Sequence, residues 1–293
     1  NNRNQKYLIL GSASRDLIKQ SSETLAGRIA YHYLSGFILR EVGKENWKSL
    51  WLRGGLPPSF LAENDEKSFI WREHYITTFL ERDIPQLGIS IPANTLRRFW
   101  IMDGHYNGSI VNFSEIGKSF GISDFTVRKY IEILENTFTI RLLQPWHPNV
   151  KKRLVKRPKL YIRDSGIFHA LQTIETYEQL ATNPKLGASW ESFAMENVIC
   201  RLGIPPEKVY FWRTHNGAEV DLFWQKYGRN WAIEFKFADA PRLTKSIHAA
   251  INDLELEQLW IFYPGKEKYR LSEKVTVFPL NLLDEFNYNY SGN

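Results

Sequence analysis

Apolar positions along this chain recur with two different periods, and the places where the period changes divide it. Tyr7-Leu8-Ile9-Leu10 is a short apolar run that passes straight into Gly11-Ser12-Ala13-Ser14, the pattern of a buried strand leaving a sheet into a small-residue loop. A helical stretch follows from Glu23, and Trp71 to Leu87 carries apolar residues at helical spacing, at Tyr75, Phe79 and Leu80. Between them Gly54-Gly55-Leu56-Pro57-Pro58 is a sharp break. One strand without neighbours makes no sheet. The expectation is therefore that an N-terminal part precedes Asn1, unless Tyr7–Leu10 pairs with a strand far downstream.

From Asn112 the pattern becomes helix, tight turn, helix. Ser114 is placed to cap a short helix whose Ile116 and Phe120 face inward, and Gly121 ends it. Ser123 caps a second helix with Val127, Tyr130, Ile131 and Leu134 on one stripe. Thr137 to Pro145 then reads as a short hydrophobic β-wing, which gives the segment the form of a winged helix-turn-helix. In that form Asp124, Thr126, Arg128 and Lys129 lie where base edges or phosphates are reached, and Arg128 and Lys129 suit phosphate contact. Such units also serve as plain packing modules. Ile116-Gly117-Lys118-Ser119 matches the end of a P-loop, but Asn112 stands where its first glycine belongs and no strand leads into it, so it is not a nucleotide site.

Further on, strand periods take over. Val209-Tyr210-Phe211-Trp212 is strand-like, His215-Asn216-Gly217 is a turn, and Glu219-Val220-Asp221-Leu222 alternates polar with apolar. Trp231-Ala232-Ile233-Glu234-Phe235-Lys236-Phe237 alternates again. Strand period puts Glu219 and Asp221 on one face, and likewise Glu234 and Lys236, while Ile233, Phe235 and Phe237 point into a core. Carboxylates gathered in so apolar a meander repel one another, and a hard divalent cation such as Mg²⁺ is the usual compensation. A metal held by Asp221 and Glu234 would lower the pKa of a bound water and stabilise charge on a phosphodiester, with Lys236 orienting the water or the phosphate. The spacing is D-x12-E-x-K. The helix before it offers Glu191 as a further catalytic carboxylate and Glu196 as the reserve. With the helical Leu243–Leu254 and the strand Leu259-Trp260-Ile261-Phe262, the segment from about Leu186 to Leu280 reads as a nuclease-like α/β core. The alternative is a solvent-facing stripe of strand salt bridges.

Composition narrows the class. With 293 residues, 43% hydrophobic and 24% charged, the chain can bury two or three cores. No run of eighteen apolar residues occurs, and Asn1 to Lys6 lack the apolar stretch of a secretory signal, so no membrane partner is expected. The single cysteine, Cys200, rules out an intramolecular disulfide and a cysteine-based metal cage and fits a reducing cytoplasm. The histidines lack ligand spacing. Net charge is +6, yet Arg141, Lys151, Lys152, Arg153, Lys156, Arg157, Lys159 and Arg163 lie in one stretch free of Asp and Glu. Read as a surface, this stretch attracts polyanions, with Lys151, Lys152 and Arg153 as nucleic-acid contacts beside the wing. Read otherwise, it is a solvated basic loop.

Several of these motifs recur together in order: Gly11-Ser12-Ala13-Ser14, Leu25-Ala26-Gly27-Arg28, Trp71-Arg72-Glu73, Leu80-Glu81-Arg82-Asp83-Ile84-Pro85, the helix-turn-helix, Arg163-Asp164-Ser165-Gly166, Gly187-Ala188-Ser189-Trp190-Glu191, Trp212-Arg213-Thr214-His215 and Gly217-Ala218-Glu219-Val220-Asp221. The series resembles the bacterial and archaeal AAA-type ATPases with a C-terminal domain of unknown function 4143, which is PD-(D/E)XK nuclease-like. It covers nearly the whole chain. The resemblance implies a mixed α+β chain: the C-terminal part of an AAA-type ATPase domain over residues 1–90, a winged-helix-like domain over 91–165, and a restriction-endonuclease-like α/β domain over 166–293. It also implies that Ser12 or Ser14 lies near the nucleotide γ-phosphate and that Arg28 reads ATP in its own or a neighbouring subunit of a homo-oligomer. The family's Walker A loop and acidic Walker B strand would precede Tyr7, so ATP hydrolysis is expected of a longer form.

The sequence thus leads to three readings. The first is a DNA-associated protein whose terminal domain binds or nicks nucleic acid with Mg²⁺. The second is a non-enzymatic, ATP-gated winged-helix regulator with a degenerate nuclease fold as scaffold. The third is a pure protein-interaction module.

Overall fold

The computed structural model of the chain describes Leu8, residues 34–147 and residues 155–288. Apart from Leu8, the expected strand Tyr7–Leu10 lies outside the described residues, as do Ser12, Ser14 and Arg28 and the basic Lys151, Lys152 and Arg153.

Residues 34–105 are helices and their connections, chiefly α1 (Trp47–Arg53), α2 (Asp65–Thr78) and α3 (Ala93–His105). Asn64 starts α2 by accepting the N–H of Lys67 at 2.8 Å, and the rod continues through a π-turn at Phe79–Asp83 to Gln86. The helical pattern read from Trp71 is the later part of this rod. Its beginning, Asp65 to Ile70, escaped the apolar count because half of its buried face there is the polar Ser68, beside Phe69. Arg72 is fully buried and donates to the carbonyls of Ser68, Leu52 and Gly166 at 3.2, 3.1 and 2.9 Å. Burial lowers its pKa to about 10 while Asp164 and Asp65 oppose the shift, so it stays charged at neutral pH.

Helices α4 (Phe113–Phe120) and α5 (Asp124–Asn136) form the expected helix-turn-helix. Gly121 ends α4 at φ 64°, and a Cβ on Gly117 would stand 2.7 Å from the Ile122 carbonyl, so both glycines let the turn fold back tightly. Ser123 caps α5 through the Thr126 N–H at 3.2 Å. Ser114 does not cap α4. It lies inside the first turn, and its hydroxyl donates to Asp124 Oδ2 at 2.7 Å, tying α4 to the start of α5.

A nine-stranded mixed sheet follows: β1 (Ser109–Ile110), β2 (Ile140–Pro145), β3 (Lys159–Ile162), β4 (Val209–Arg213), β5 (Glu219–Lys226), β6 (Arg229–Phe235), β7 (Leu256–Tyr263), β8 (Tyr269–Ser272) and β9 (Val275–Pro279). Their order is β1-β3-β2-β4-β5-β6-β7-β9-β8. The expected wing begins at Ile140 and pairs antiparallel with β3, with Leu143 opposite Lys159. Its far end pairs parallel with β4, Gln144 beside Tyr210, so the hairpin is also part of the sheet that carries β4–β9.

This placement removes Arg141 and Lys159 from the basic surface expected over residues 141–163. Arg141 and Lys159 are 8% and 2% exposed, because β2 and β3 lie inside the sheet. Arg141 and the half-buried Arg163 pair with Glu196, and Lys159 pairs with other carboxylates. Lys156 and Arg157 are the described members that face solvent.

Three further helices complete the molecule: α6 (Ser165–Leu171), α7 (Leu186–Leu202) and α8 (Lys245–Asp253). Along the chain α7, β4, β5, β6, α8 and β7 succeed one another, with β4-β5-β6 antiparallel and β7 parallel to β6. Trp190, Phe193 and Val198 of α7 pack with Leu222, Trp224, Ile233 and Phe235 in one core, and Ile247 and Ala250 of α8 with Phe223, Ala232 and Ile261 in another. Each fully buried Trp or Phe contributes roughly 2–3 kcal/mol of hydrophobic burial. The mixed α/β class is as expected. No described helix is long and apolar enough to cross a membrane.

Candidate divalent-cation site

Helix α7 delivers Glu191, and what lies on either side of it sets its rotation. Ser189 accepts the indole N–H of Trp51 at 2.9 Å and meets His169 Nε2 at 2.7 Å, while His169 Nδ1 lies 2.9 Å from the Leu52 carbonyl. A neutral imidazole with its proton on Nδ1 satisfies all three contacts, and burial pushes the His169 pKa down to about 3. Asn107 donates to the Ala188 carbonyl at 3.0 Å, and the buried Asn197 accepts the Leu39 N–H at 2.8 Å. These bonds clamp α7 to α1 and α6 at Ser189, to Asn107 beside it, and to Leu39 further along the helix.

Strand β5 delivers Asp221 through a bulge. Tyr210 pairs with Phe223 and Trp212 with Val220, so Asp221 and Leu222 together face the single residue Phe211. Asp221 Oδ2 accepts the N–H of Phe235 at 2.9 Å, which fastens the bulge to the end of β6 beside Glu234. Asp221 and Glu234 are 5% and 6% exposed.

Lys159 brings the group together. Its ammonium donates to Glu191 Oε1 at 3.2 Å, to Asp221 Oδ1 at 3.3 Å and to Glu219 Oε1. Tyr161, two residues on, donates its hydroxyl to Glu191 Oε1 at 2.6 Å. Arg213 covers Glu219 at 3.1 Å, and Lys236, 47% exposed in its side chain, bonds Glu234 Oε1 at 2.6 Å. Glu234 Oε2 is buried without a hydrogen-bond partner among the described residues.

Burial dominates the electrostatics. It raises the Glu191 pKa to about 7 and the Glu234 pKa to about 8, with the Asp221 charge adding to both and the lysines opposing. Lys159 is held well above the usual lysine range: burial acts against its charge, and the carboxylates of Glu191, Asp221 and Glu219 together with Tyr161 outweigh it. Four carboxylates are thus faced by three cations: Lys159 and Arg213 serve Glu191, Glu219 and Asp221, while Lys236 meets Glu234 through Oε1 and leaves Oε2 over.

The structure therefore brings together Glu191, Asp221, Glu234 and Lys236, with Glu219 on the same ammonium as Asp221. Glu196 is not in the group. It accepts two bonds from Arg141, and that pairing with Arg163 lowers its pKa to about 2 against the effect of burial. Sequence reasoning missed Lys159 and Tyr161 as members. The available signal was a lysine and a tyrosine at strand spacing within the otherwise apolar Lys159-Leu160-Tyr161-Ile162. Asp221 and Glu234 are hard oxygen donors of the kind Mg²⁺ prefers, and the orphaned Glu234 Oε2 fits such an ion. Among the described residues, however, no three His, Cys, Asp or Glu side chains already stand in a metal-holding arrangement.

The nucleic-acid candidates stand apart from this site. Arg128 and Lys129 are exposed on α5, and the Arg128 guanidinium stacks 3.9 Å over the Phe113 ring. Phe125, at the start of the same helix, is 77% exposed.

The chain is a mixed α/β protein in which a buried carboxylate–lysine group lies where a helix meets a bulged strand. Its residues 186–283 match a domain of unknown function (DUF4143), as the resemblance implied for the C-terminal domain, and residues 44–178 match another domain of unknown function (DUF8612). Uncharacterized proteins of Mycobacterium bovis and Mycobacterium tuberculosis are each 45% identical to it over 274 residues, 94% of this chain. The chain spans 62% of the length of these curated relatives. No solved structure matches it.

Proposed function

We propose that residues 186–283 form a divalent-cation-binding, nuclease-like domain that acts on nucleic acid held by the helix-turn-helix. The observation that carries this reading is the convergence of Glu191, Asp221, Glu234 and Lys236 from a helix and two neighbouring strands, with one buried carboxylate oxygen left over. The succession α7-β4-β5-β6-α8-β7 is the topology expected of a restriction-endonuclease-like core. Asp221 and Glu234 would hold Mg²⁺, which when bound supplies a water of lowered pKa and charge stabilisation at a phosphodiester. Lys236, half exposed beside Glu234, positions a phosphate oxygen or that water. Tyr161 keeps Glu191 oriented. Arg128 and Lys129 contact phosphates.

The test is nicking of supercoiled or branched DNA with Mg²⁺. Activity is expected, with its loss in Asp221→Asn and Lys236→Ala. Intact DNA at high protein and metal would overturn the catalytic part.

A second reading, a non-enzymatic regulator with a degenerate nuclease fold, is favoured by one observation: the Lys159 ammonium already satisfies Glu191, Glu219 and Asp221. In that reading the protein binds DNA and does not cut it. ATP binding, by Ser12 and Arg28 in a homo-oligomer, is proposed for a longer form, on the grounds that the domain matched at residues 186–283 is typically found with AAA ATPases.

A further inference from the structure

The carboxylate group at the α7–β5 junction holds more negative side chains than two metal ligands require, and the excess lies around a protein cation. Lys159 has three N–H bonds to give, and it gives them to three different carboxylates, those of Glu191, Glu219 and Asp221. Its side chain is 3% exposed and lies against the Phe211 ring, 5.6 Å from its centroid, and the hydroxyl of Tyr161 shares the Glu191 oxygen with it. A flexible surface lysine does not adopt such a geometry. A buried charge is tolerated only when fully paired, and here the pairing is tripodal, at 3.2 Å to Glu191 and 3.3 Å to Asp221 with Glu219 as the third acceptor. On the other side of Asp221, Glu234 Oε2 is buried and without a partner among the described residues.

The geometry points to Lys159 as a stand-in ion: its ammonium fills the half of the group formed by Glu191, Glu219 and Asp221, and leaves the Glu234 side as the place for one exchangeable divalent cation. This deepens the reading above and rests on its divalent-cation site. Lys159 is a positioning residue. It fixes the carboxylates of Glu191 and Asp221 without itself being replaced, and so limits the site to a single metal. It is also carried by β3, which pairs with the wing strand β2, opposite Leu143. A shift of the hairpin that leads to the helix-turn-helix therefore moves the ammonium directly.

The experiment counts Mn²⁺ per chain by electron paramagnetic resonance in the full chain, for wild type, Lys159→Met and Lys159→Arg. Lys159→Met keeps the length of the side chain and removes the charge. It is expected to bind one Mn²⁺ more per chain than wild type at saturation, and Lys159→Arg, which keeps the charge, the same number as wild type. A folded Lys159→Met with the wild-type count overturns the inference. Should wild type bind no Mn²⁺, the metal site of the proposed function falls, and Lys159 is judged on the variant alone: one ion there supports the stand-in role, and none overturns it. Removing the ammonium leaves Glu191 and the buried Asp221 without their cation and destabilises the fold, so Lys159→Met is also followed by circular dichroism as Mn²⁺ is added. Recovery of the folded signal by Mn²⁺, and not by KCl of equal ionic strength, supports the inference. Failure of Mn²⁺ to raise its melting temperature more than that of wild type overturns it.

Discussion

Arg141 on β2 and Glu196 on α7 form a two-bond pair, Nε to Oε1 at 2.6 Å and the terminal nitrogen to Oε2 at 3.0 Å, in the interior where the wing hairpin meets the helix that carries Glu191. A residue that sequence alone places in a basic surface thus serves as the counter-charge of a buried carboxylate. Fork-to-fork geometry of this kind is the strong form of the ion pair.

Acid stability follows from that pair. Glu196 has its pKa depressed to about 2, so between the unfolded carboxylate range near 4.5 and about 2 the native state binds fewer protons than the unfolded chain. The stabilisation is fully present above about 4.5 and is lost as pH falls towards 2. Its size is on the order of 3 kcal/mol. Urea denaturation at pH 6 and pH 3.5 should show a steep fall in stability for wild type and a shallower one for Glu196→Gln, which starts lower.

The buried chain from Trp51 through Ser189 to His169 predicts a second destabilisation. Ser189→Ala removes a hydroxyl that two buried groups depend on, and each orphaned group costs about 1–3 kcal/mol. The expected result is a fall of about 2–5 kcal/mol in unfolding free energy with an unchanged denaturant slope. His169 adds its own pH dependence. Its folded pKa of about 3 lies below the unfolded value near 6.5, so its contribution is present above about 6.5 and lost as pH drops through that window.

Metal binding should register as stability. An ion that binds the native state at about one hundred times its dissociation constant raises unfolding free energy by about 2.7 kcal/mol. Mg²⁺ should raise the melting temperature, EDTA should reverse the rise, and Glu234→Gln should abolish it, since Glu234 Oε2 is the donor left over. An equal rise in Glu234→Gln would remove this residue from the site.

DNA binding is expected to be electrostatic. Each cation that neutralises a DNA phosphate adds about 0.9 to the steepness with which log affinity falls against log salt. Arg128→Ala and Lys129→Ala should each make that slope shallower by about this amount for a duplex probe, with little change between sequences. Arg128→Ala also removes the stacking over Phe113, so its stability is to be measured alongside.

The helix-turn-helix, the strands β4 to β7 and the pairing of Glu219 with Asp221 and of Glu234 with Lys236 were legible in the sequence, because periodicity and capping act over a few residues and leave a local record. Glu191 was likewise readable as the inward carboxylate of α7. The early start of α2 was not, since Ser68 looks like a surface residue until Ser59 is brought against it.

What the sequence by itself determined is which residue types stand at which faces of each element, and so that carboxylates and a lysine would gather at the end of two strands. Tertiary structure alone decided which cation they would meet. Lys159 is distant in sequence from all its partners, and only the joining of the hairpin to the larger sheet, together with the bulge at Asp221, turns a lysine of a basic stretch into the buried centre of the group. The physical reason is that a charge takes its meaning from burial and pairing, which the chain acquires only on folding.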